Sequence, residues 1–150
     1  ANVFLGYFKN DDATDSVFTD DGWFKTGDMG VIDEDGCLFI KGRTKCMILG
    51  PSGQNIYPEE VETVINSQPY VVDSLVVEDN GGLTALIYPD FAQGAKDGMN
   101  QDVFIKFMED TLPELNKELP NYAKLKKIEI MSEDFERTPK KSIKRYLYQR

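Results

Sequence analysis

The pattern of apolar and polar residues predicts a β-rich beginning for this chain. The predicted elements are strands at residues 3–8, 24–32 and 37–41 and a short helix at 13–18, capped by Asn10 or Asp11. Asp35 and Gly36 separate two of these strands and predict a tight hairpin, because such a turn needs positive φ. We expect residues 1–44 to be mainly β and to form an incomplete unit.

The remainder of the chain alternates between helical and extended patterns. Pro58 suits a first helical position, and Val61 and Ile65 then repeat at helical spacing. The other predicted elements are a strand at 46–49, a loop at 50–53, strands at 71–77, 83–88 and 125–131, a helical stripe at 103–115 and a short basic helix at 142–148. We therefore expect an α+β fold, with a sheet of about three strands flanked by helices.

Composition excludes several classes of function. The hydrophobic content of 41% and the aromatic content of 11% suit a folded core. A net charge of −9 argues against nucleic acid as a partner, because the phosphate backbone attracts basic proteins. The chain has no histidine, which excludes an imidazole base or an imidazole metal ligand within it. We assign no metal ligand to any of its residues.

The cysteines and the apolar runs indicate a cellular compartment. Cys37 and Cys46 have no metal-ligand spacing, and two thiols without a disulfide framework fit a reducing cytosol. No apolar run reaches the ~18 residues of a membrane helix. We expect a cytoplasmic protein with at most peripheral membrane contact. Because the chain begins at Ala1 with a strand pattern, we also expect a fragment.

Four motifs follow one another within about forty residues. They are GWFKTGD at residues 22–28, DEDG at 33–36, GRTK at 42–45 and GQNIYPEEVE at 53–62. In this order they resemble the adenylate-forming enzymes, the superfamily of acyl-CoA synthetases and luciferases. The resemblance implies that residues 1–44 end the large domain and that 45–150 form the small, mobile C-terminal domain. It also implies that the rest of the large domain, a partner in cis, is missing here.

The resemblance assigns nucleotide-binding roles to two residues. A carboxylate can accept hydrogen bonds from the vicinal hydroxyls of a ribose, and Asp28 stands at the ribose-binding position of the family. Arg43 stands at an arginine position that contacts the nucleotide. The alternatives are an ordinary turn aspartate for Asp28 and a solvated strand-end cation for Arg43. Lys45 and Cys46 fall at the hinge, where the family usually has aspartate instead of Cys46; we favour an inert, buried thiol there.

Ser52 and Gly53 fall in a loop that resembles the family's glycine-containing loop, which enters the active site for thioester formation. A backbone that approaches the narrow pantetheine arm needs small residues. Many family members have two glycines here, and the serine form points to bacterial long-chain acyl-CoA synthetases. An ordinary strand-to-helix loop is the alternative.

The end of the chain reads RTPKKSIKRYL at residues 137–147, against a family pattern of about R-T-x-x-G-K-I-x-R-x-x-L. The family lysine contacts the substrate carboxylate and the phosphate, but its column falls on Ser142. Either the loop shifts by one residue and Lys141 takes that role, or the lysine is absent. Lys144 and Lys140 are the alternative lysines, and a merely basic tail is the remaining interpretation.

The resemblance implies part of an ATP-dependent, AMP-forming acyl-CoA ligase that acts on a carboxylic acid, with a fatty acid favoured. Its substrates and cofactors would be the acid, ATP, Mg²⁺ and coenzyme A, and the fragment alone would be inactive. The alternatives are an adenylation domain that loads a carrier protein and a non-catalytic homologue that binds an adenylate.

Overall fold

The structure is a computed structural model that describes residues 2–150. It consists of two compact units, of which the first ends at Lys45 and the second is Cys46–Arg150. The assignment of residues 1–44 to a large domain and 45–150 to a small one stays a prediction.

The first unit contains one helix and one β-hairpin. Helix α1, Asp11–Val17, confirms the predicted helix, and the side chain of Asn10 accepts a hydrogen bond from the Ala13 amide at 3.1 Å. Strands β1, Asp28–Ile32, and β2, Leu38–Arg43, pair antiparallel. Gly36 has φ 81° in the connecting turn, as the predicted hairpin requires.

The predicted strand at residues 3–8 is wrong. These residues form no strand, and the Phe4 ring instead packs against Tyr7, Phe18 and Phe24 at centroid distances of 5.0, 5.7 and 5.2 Å. A run of aromatic residues gives the same sequence signal in a paired strand as in a segment whose rings pack on one another outside any sheet. The strand predicted from residue 24 begins only at Asp28, because Gly27 has φ 76° and interrupts the extended backbone.

The second unit starts with a short hairpin and a helix. A 3-10 turn at Thr44–Cys46 leads into strands β3, Ile48–Leu49, and β4, Asn55–Ile56. The strand predicted from residue 46 begins only at Ile48, because Cys46 lies in the turn. Helix α2, Pro58–Asn66, begins at the predicted proline.

A three-stranded sheet forms the centre of this unit and confirms the predicted α+β fold. Strand β5, Val71–Asp79, pairs antiparallel with β6, Gly82–Pro89, which pairs parallel with β7, Leu125–Ile130. Between β6 and β7 the chain forms three helices, which are α3 at Phe91–Lys96, α4 at Gln101–Glu109 and α5 at Leu112–Glu118. The sequence pattern predicts α4 and α5 as one interrupted stripe and gives no signal for α3.

Both faces of the sheet are covered. The larger core joins helices α2, α4 and α5 to the sheet, with Ile65, Ile87 and Phe104 at most 1% exposed. The smaller core contains Leu75, Leu86 and Phe135, so the segment after β7 covers the other face. The helix predicted at 142–148 is wrong, because only a 3-10 turn at Arg145–Leu147 forms there and the preceding backbone is extended.

Candidate functional site

Asp28 and Arg43 face each other across the hairpin of the first unit. They are register partners of β1 and β2, and Arg43 Nε lies 2.9 Å from Asp28 Oδ1. Arg43 Nη1 also donates to the Thr26 carbonyl at 3.1 Å, so its guanidinium contacts both residues. The Asp28 side chain is 34% exposed, so part of its carboxylate can accept hydrogen bonds from a ligand. The structure thus brings the two predicted nucleotide-binding residues together.

Cys46 is half-buried beside acidic groups. Burial raises the pKa of its thiol, and the nearby Glu59 carboxylate raises it further. A thiol with a raised pKa is a poor nucleophile, which favours the inert interpretation. Lys45 is exposed next to it in the 3-10 turn. The hinge role of both residues stays a prediction.

Ser52 and Gly53 lie at the exposed tip of the β3–β4 hairpin. The Gly53 amide donates to the Gly50 carbonyl at 2.9 Å, and Gly53 has φ 80°, a conformation that favours glycine. A groove of about 420 Å³ runs beside this loop, lined in part by Ser52, Tyr122 and Lys124. The geometry gives the loop a narrow tip of small residues.

The candidate lysines lie on a small hairpin near the end of the chain, which we call the terminal hairpin, residues 136–144. Arg137 and Ile143 form an antiparallel bridge, and the Thr138 amide donates to the Ser142 carbonyl at 2.8 Å. Lys140 and Lys141 are exposed at its tip, and within residues 2–150 neither ammonium has a hydrogen bond or ion pair. Lys144 Nζ instead lies 2.9 Å from a Glu136 carboxylate oxygen.

The backbone conformation of the terminal hairpin helps to align it with the family pattern and so to find the position of the family lysine. Lys141 has φ 65°, in the left-handed region that favours glycine. In the family pattern an ungapped alignment puts glycine at this position and lysine at Ser142. The conformation therefore favours the ungapped alignment, and Lys141 would have to reach its target from the glycine position.

A buried ion pair that the sequence does not reveal joins Glu62 of α2 to Arg145. Glu62 is only 7% exposed; its Oε1 accepts a hydrogen bond from the Val76 amide at 2.7 Å, and its Oε2 accepts one from Arg145 Nη2. Burial raises the pKa of Glu62 even though Arg145 lowers it. Burial lowers the pKa of Arg145, but the neighbouring acidic groups, Glu62 first, together leave it above its ordinary value. One signal was available, because Glu62 shares the inward helical face of Pro58, Val61 and Ile65.

A family model for the C-terminal domain of AMP-binding enzymes matches residues 46–150. The chain belongs to this family. The match covers the second unit, which holds the glycine-containing loop and the terminal hairpin. It confirms the resemblance to adenylate-forming enzymes.

Individual relatives and solved structures also resemble this chain. A long-chain-fatty-acid–CoA ligase of Mycobacterium tuberculosis, FadD15, is 47% identical over 77 residues, which are 51% of this chain and 13% of that protein. A nonribosomal peptide synthetase of Aspergillus terreus, apvA, is 52% identical over 73 residues, covering 48% of this chain and 8% of that one. The chain therefore spans a small part of the relatives it matches.

Among solved structures, the O-succinylbenzoate coenzyme A synthetase of Bacillus subtilis in complex with ATP and magnesium has a TM-score of 0.75 and 29% identity. The match covers 97% of this chain and 28% of that one. In the part of the chain that the structure describes, no helix is both long and apolar enough to span a membrane.

Proposed function

We propose that this chain is the C-terminal part of an AMP-forming acyl-CoA ligase that activates a carboxylic acid, with a fatty acid favoured. The observation that carries the proposal is the Asp28–Arg43 pair, placed on one hairpin directly before the family domain. An accessible carboxylate paired with a guanidinium suits the vicinal hydroxyls and the charge of a nucleotide. Asp28 would bind the ribose of ATP, and Arg43 would orient Asp28 and contact the nucleotide.

The proposed reaction has two steps. In the first, a carboxylate oxygen of the acid attacks the α-phosphorus of ATP, and the bond to pyrophosphate breaks to leave an acyl-adenylate. In the second, the thiol of coenzyme A attacks the adenylate carbonyl, loses its proton, and AMP leaves. Lys141 would place an ammonium near the negative charge that develops in the first step. Lys140 and Lys144 are its alternatives, and Lys144 is already paired with Glu136.

The second step would use the loop at Ser52 and Gly53. A small-residue tip can approach the pantetheine arm of coenzyme A closely. One unit serving both steps requires a rotation, for which Lys45 and Cys46 would be the hinge. Magnesium would shield the phosphates of ATP when bound, but no group of three acidic, cysteine or histidine side chains in residues 2–150 is placed to hold a metal. That no residue of this chain ligates magnesium stays a prediction.

The partner proposed in cis is the rest of a large adenylate-forming domain. Apolar residues of the β1–β2 hairpin support it, because Ile32, Leu38 and Ile40 are 68, 62 and 62% exposed. Exposed apolar strands are usually covered by another part of the protein. The free thiols of Cys37 and Cys46 support a reducing, cytoplasmic location.

The name of the FadD15 relative supports a fatty acid as the substrate. The apvA relative favours a second candidate, an adenylation domain that transfers its acyl group to a carrier protein. A non-catalytic adenylate-binding protein is a third candidate, which the serine at position 142 favours.

The test uses the intact protein that carries this chain, with ATP, magnesium and acids of short to long chain. Mass spectrometry of the products distinguishes acyl-CoA from an acylated carrier protein. We expect acyl-CoA, most rapidly with long-chain acids. Asp28→Asn should weaken ATP binding at least about tenfold, because a charged acceptor of ribose hydrogen bonds is lost.

The matched control is Glu34→Gln, which removes a charge at the exposed tip of the same hairpin and should leave ATP binding unchanged. Acyl-carrier product without acyl-CoA would replace the first candidate by the second. Normal ATP binding without any acyl product would favour the third.

A further inference from the structure

Two arginines connect the base of the terminal hairpin to the rest of the unit. Arg137, on its first leg, pairs with Asp73 at 2.8 Å and Asp134 at 3.0 Å and also donates to the Lys141 carbonyl at 3.3 Å. Arg145 directly follows its second leg and pairs with Glu62 of helix α2. The terminal hairpin is thus fixed at both legs, while its tip with Lys140 and Lys141 is exposed.

The Arg145 anchor is the more buried of the two. The side chains of Arg145 and Glu62 are 23 and 10% exposed, against 31 and 22% for Arg137 and Asp73. The Glu62 carboxylate is itself held in place, because its other oxygen accepts the Val76 amide of β5. Glu59 lies 3.9 Å from Arg145 and adds a second negative charge to the pocket. The second leg is therefore tied to the rigid core of the unit rather than to a mobile surface group.

We propose that Arg145 is a positioning residue for adenylation, which acts through Glu62 to hold the lysine-bearing tip of the terminal hairpin in one orientation. The proposal deepens the proposed function and rests on it. A displacement of about 1 Å at a reacting group can cost on the order of a hundredfold in rate. Loss of the anchor should therefore affect the step that uses the lysine and spare the binding of ATP, which uses the other unit.

The test compares variants in the intact protein that carries this chain. Arg145→Met alone leaves Glu62 buried without its partner, so the double variant Glu62→Gln/Arg145→Met is included to remove both charges. The Gln side chain keeps an acceptor for Val76, and Arg137 still holds the first leg, so the double variant should fold and keeps the test decisive if Arg145→Met alone does not. The matched control is Arg150→Met, which removes an ion pair with Glu129 beyond the terminal hairpin.

The first readout is amide hydrogen exchange at the Thr138, Lys141 and Lys144 amides, which all donate hydrogen bonds within the terminal hairpin. We expect exchange at least about tenfold faster in the Arg145 variants and unchanged in Arg150→Met. Unchanged exchange in the Arg145 variants would overturn the proposal, whatever the activity. This readout does not depend on the proposed function.

The second readout separates the two chemical steps. The kcat of acid-dependent ATP–pyrophosphate exchange should fall at least about tenfold, with KM for ATP within about twofold, while thioester formation from preformed acyl-adenylate stays within about twofold. Arg145→Lys should recover part of the loss, since it keeps a cation against Glu62. Equal slowing of both steps would reduce Arg145 to a structural residue and overturn the positioning role. If no acid supports pyrophosphate exchange by the wild-type protein, the proposed function is overturned instead. Hydrogen exchange alone would then show whether Arg145 anchors the terminal hairpin.

Discussion

The left-handed backbone of Lys141 predicts that the Lys141→Gly variant of the protein is more stable than the Lys141→Ala variant. Lys141 has φ 65° in the turn closed by its own amide and the Thr138 carbonyl at 2.8 Å. A side chain in this region costs about 1–2 kcal/mol, which glycine avoids. Glycine also loses about 0.5–1 kcal/mol through the greater freedom of the unfolded chain. Lys141→Gly should therefore unfold with a free energy about 0.5–1 kcal/mol higher than Lys141→Ala.

Urea unfolding of both variants measures this difference, and both lack the lysine side chain, so the comparison isolates the backbone. Lys140 provides the control, since its φ is not positive. There the order should reverse, with glycine less stable than alanine by about 0.5–1 kcal/mol. Glycine less stable than alanine at both positions would refute the left-handed turn and with it the ungapped alignment of the family pattern.

The same position tests the proposed lysine role. If Lys141 supplies the ammonium, Lys141→Gly and Lys141→Ala should both slow acid-dependent pyrophosphate exchange by on the order of a hundredfold. Lys141→Gly/Ser142→Lys restores the family's glycine and lysine columns and should recover most of that loss. Wild-type rates in both single variants would remove Lys141 from the mechanism.

Three further predictions concern stability. Phe104→Ala should lower the free energy of unfolding by about 3–5 kcal/mol, because its ring is 1% exposed and fills the larger core; a loss under about 1 kcal/mol in urea unfolding would contradict that packing. Gly94→Ala should cost about 1–3 kcal/mol by the same assay, because its Cβ would lie 2.8 Å from the Phe104 ring; a stabilised variant would show that the ring can move away. Arg150, and to a smaller extent Lys127, lowers the pKa of Glu129 from 4.5 to about 2. The ionised Glu129 therefore stabilises the fold fully above pH 4.5, and this stabilisation is lost as the pH falls toward 2. Glu129→Gln should remove that part of the acid dependence in unfolding measurements from pH 6 to 2, and an unchanged profile would refute the ion pair.

Local sequence signals predicted most of the second unit. Pro58 at a helix start, β-branched runs and the turn at residues 80–82 are short-range features, and α2 and the β5–β6 hairpin follow from them. Helix α3 has only six residues, and its buried residue is Gly94, so no apolar stripe revealed it. The terminal segment looked helical because its apolar residues are spaced like a helix, yet Ile143 and Tyr148 pack on the sheet from extended and turn backbone.

The candidate site also contains one pair of residues that local sequence signals bring together and one pair that they do not. Asp28 and Arg43 meet because a hairpin joins them, and the hairpin turn was visible in the sequence. Glu62 and Arg145 are separated by 83 residues, and their pairing depends on how the terminal segment returns over the unit. Periodicity indicated that Glu62 faces inward but could not name its partner.

The most direct test of the central claim is pyrophosphate release by the intact protein that carries this chain, measured with ATP and magnesium over a panel of carboxylic acids. An acid-activating ligase predicts release that depends on the acid and is greatest with long-chain fatty acids. Bound ATP with no acid-dependent release would contradict that function and would leave the family fold serving a non-catalytic role.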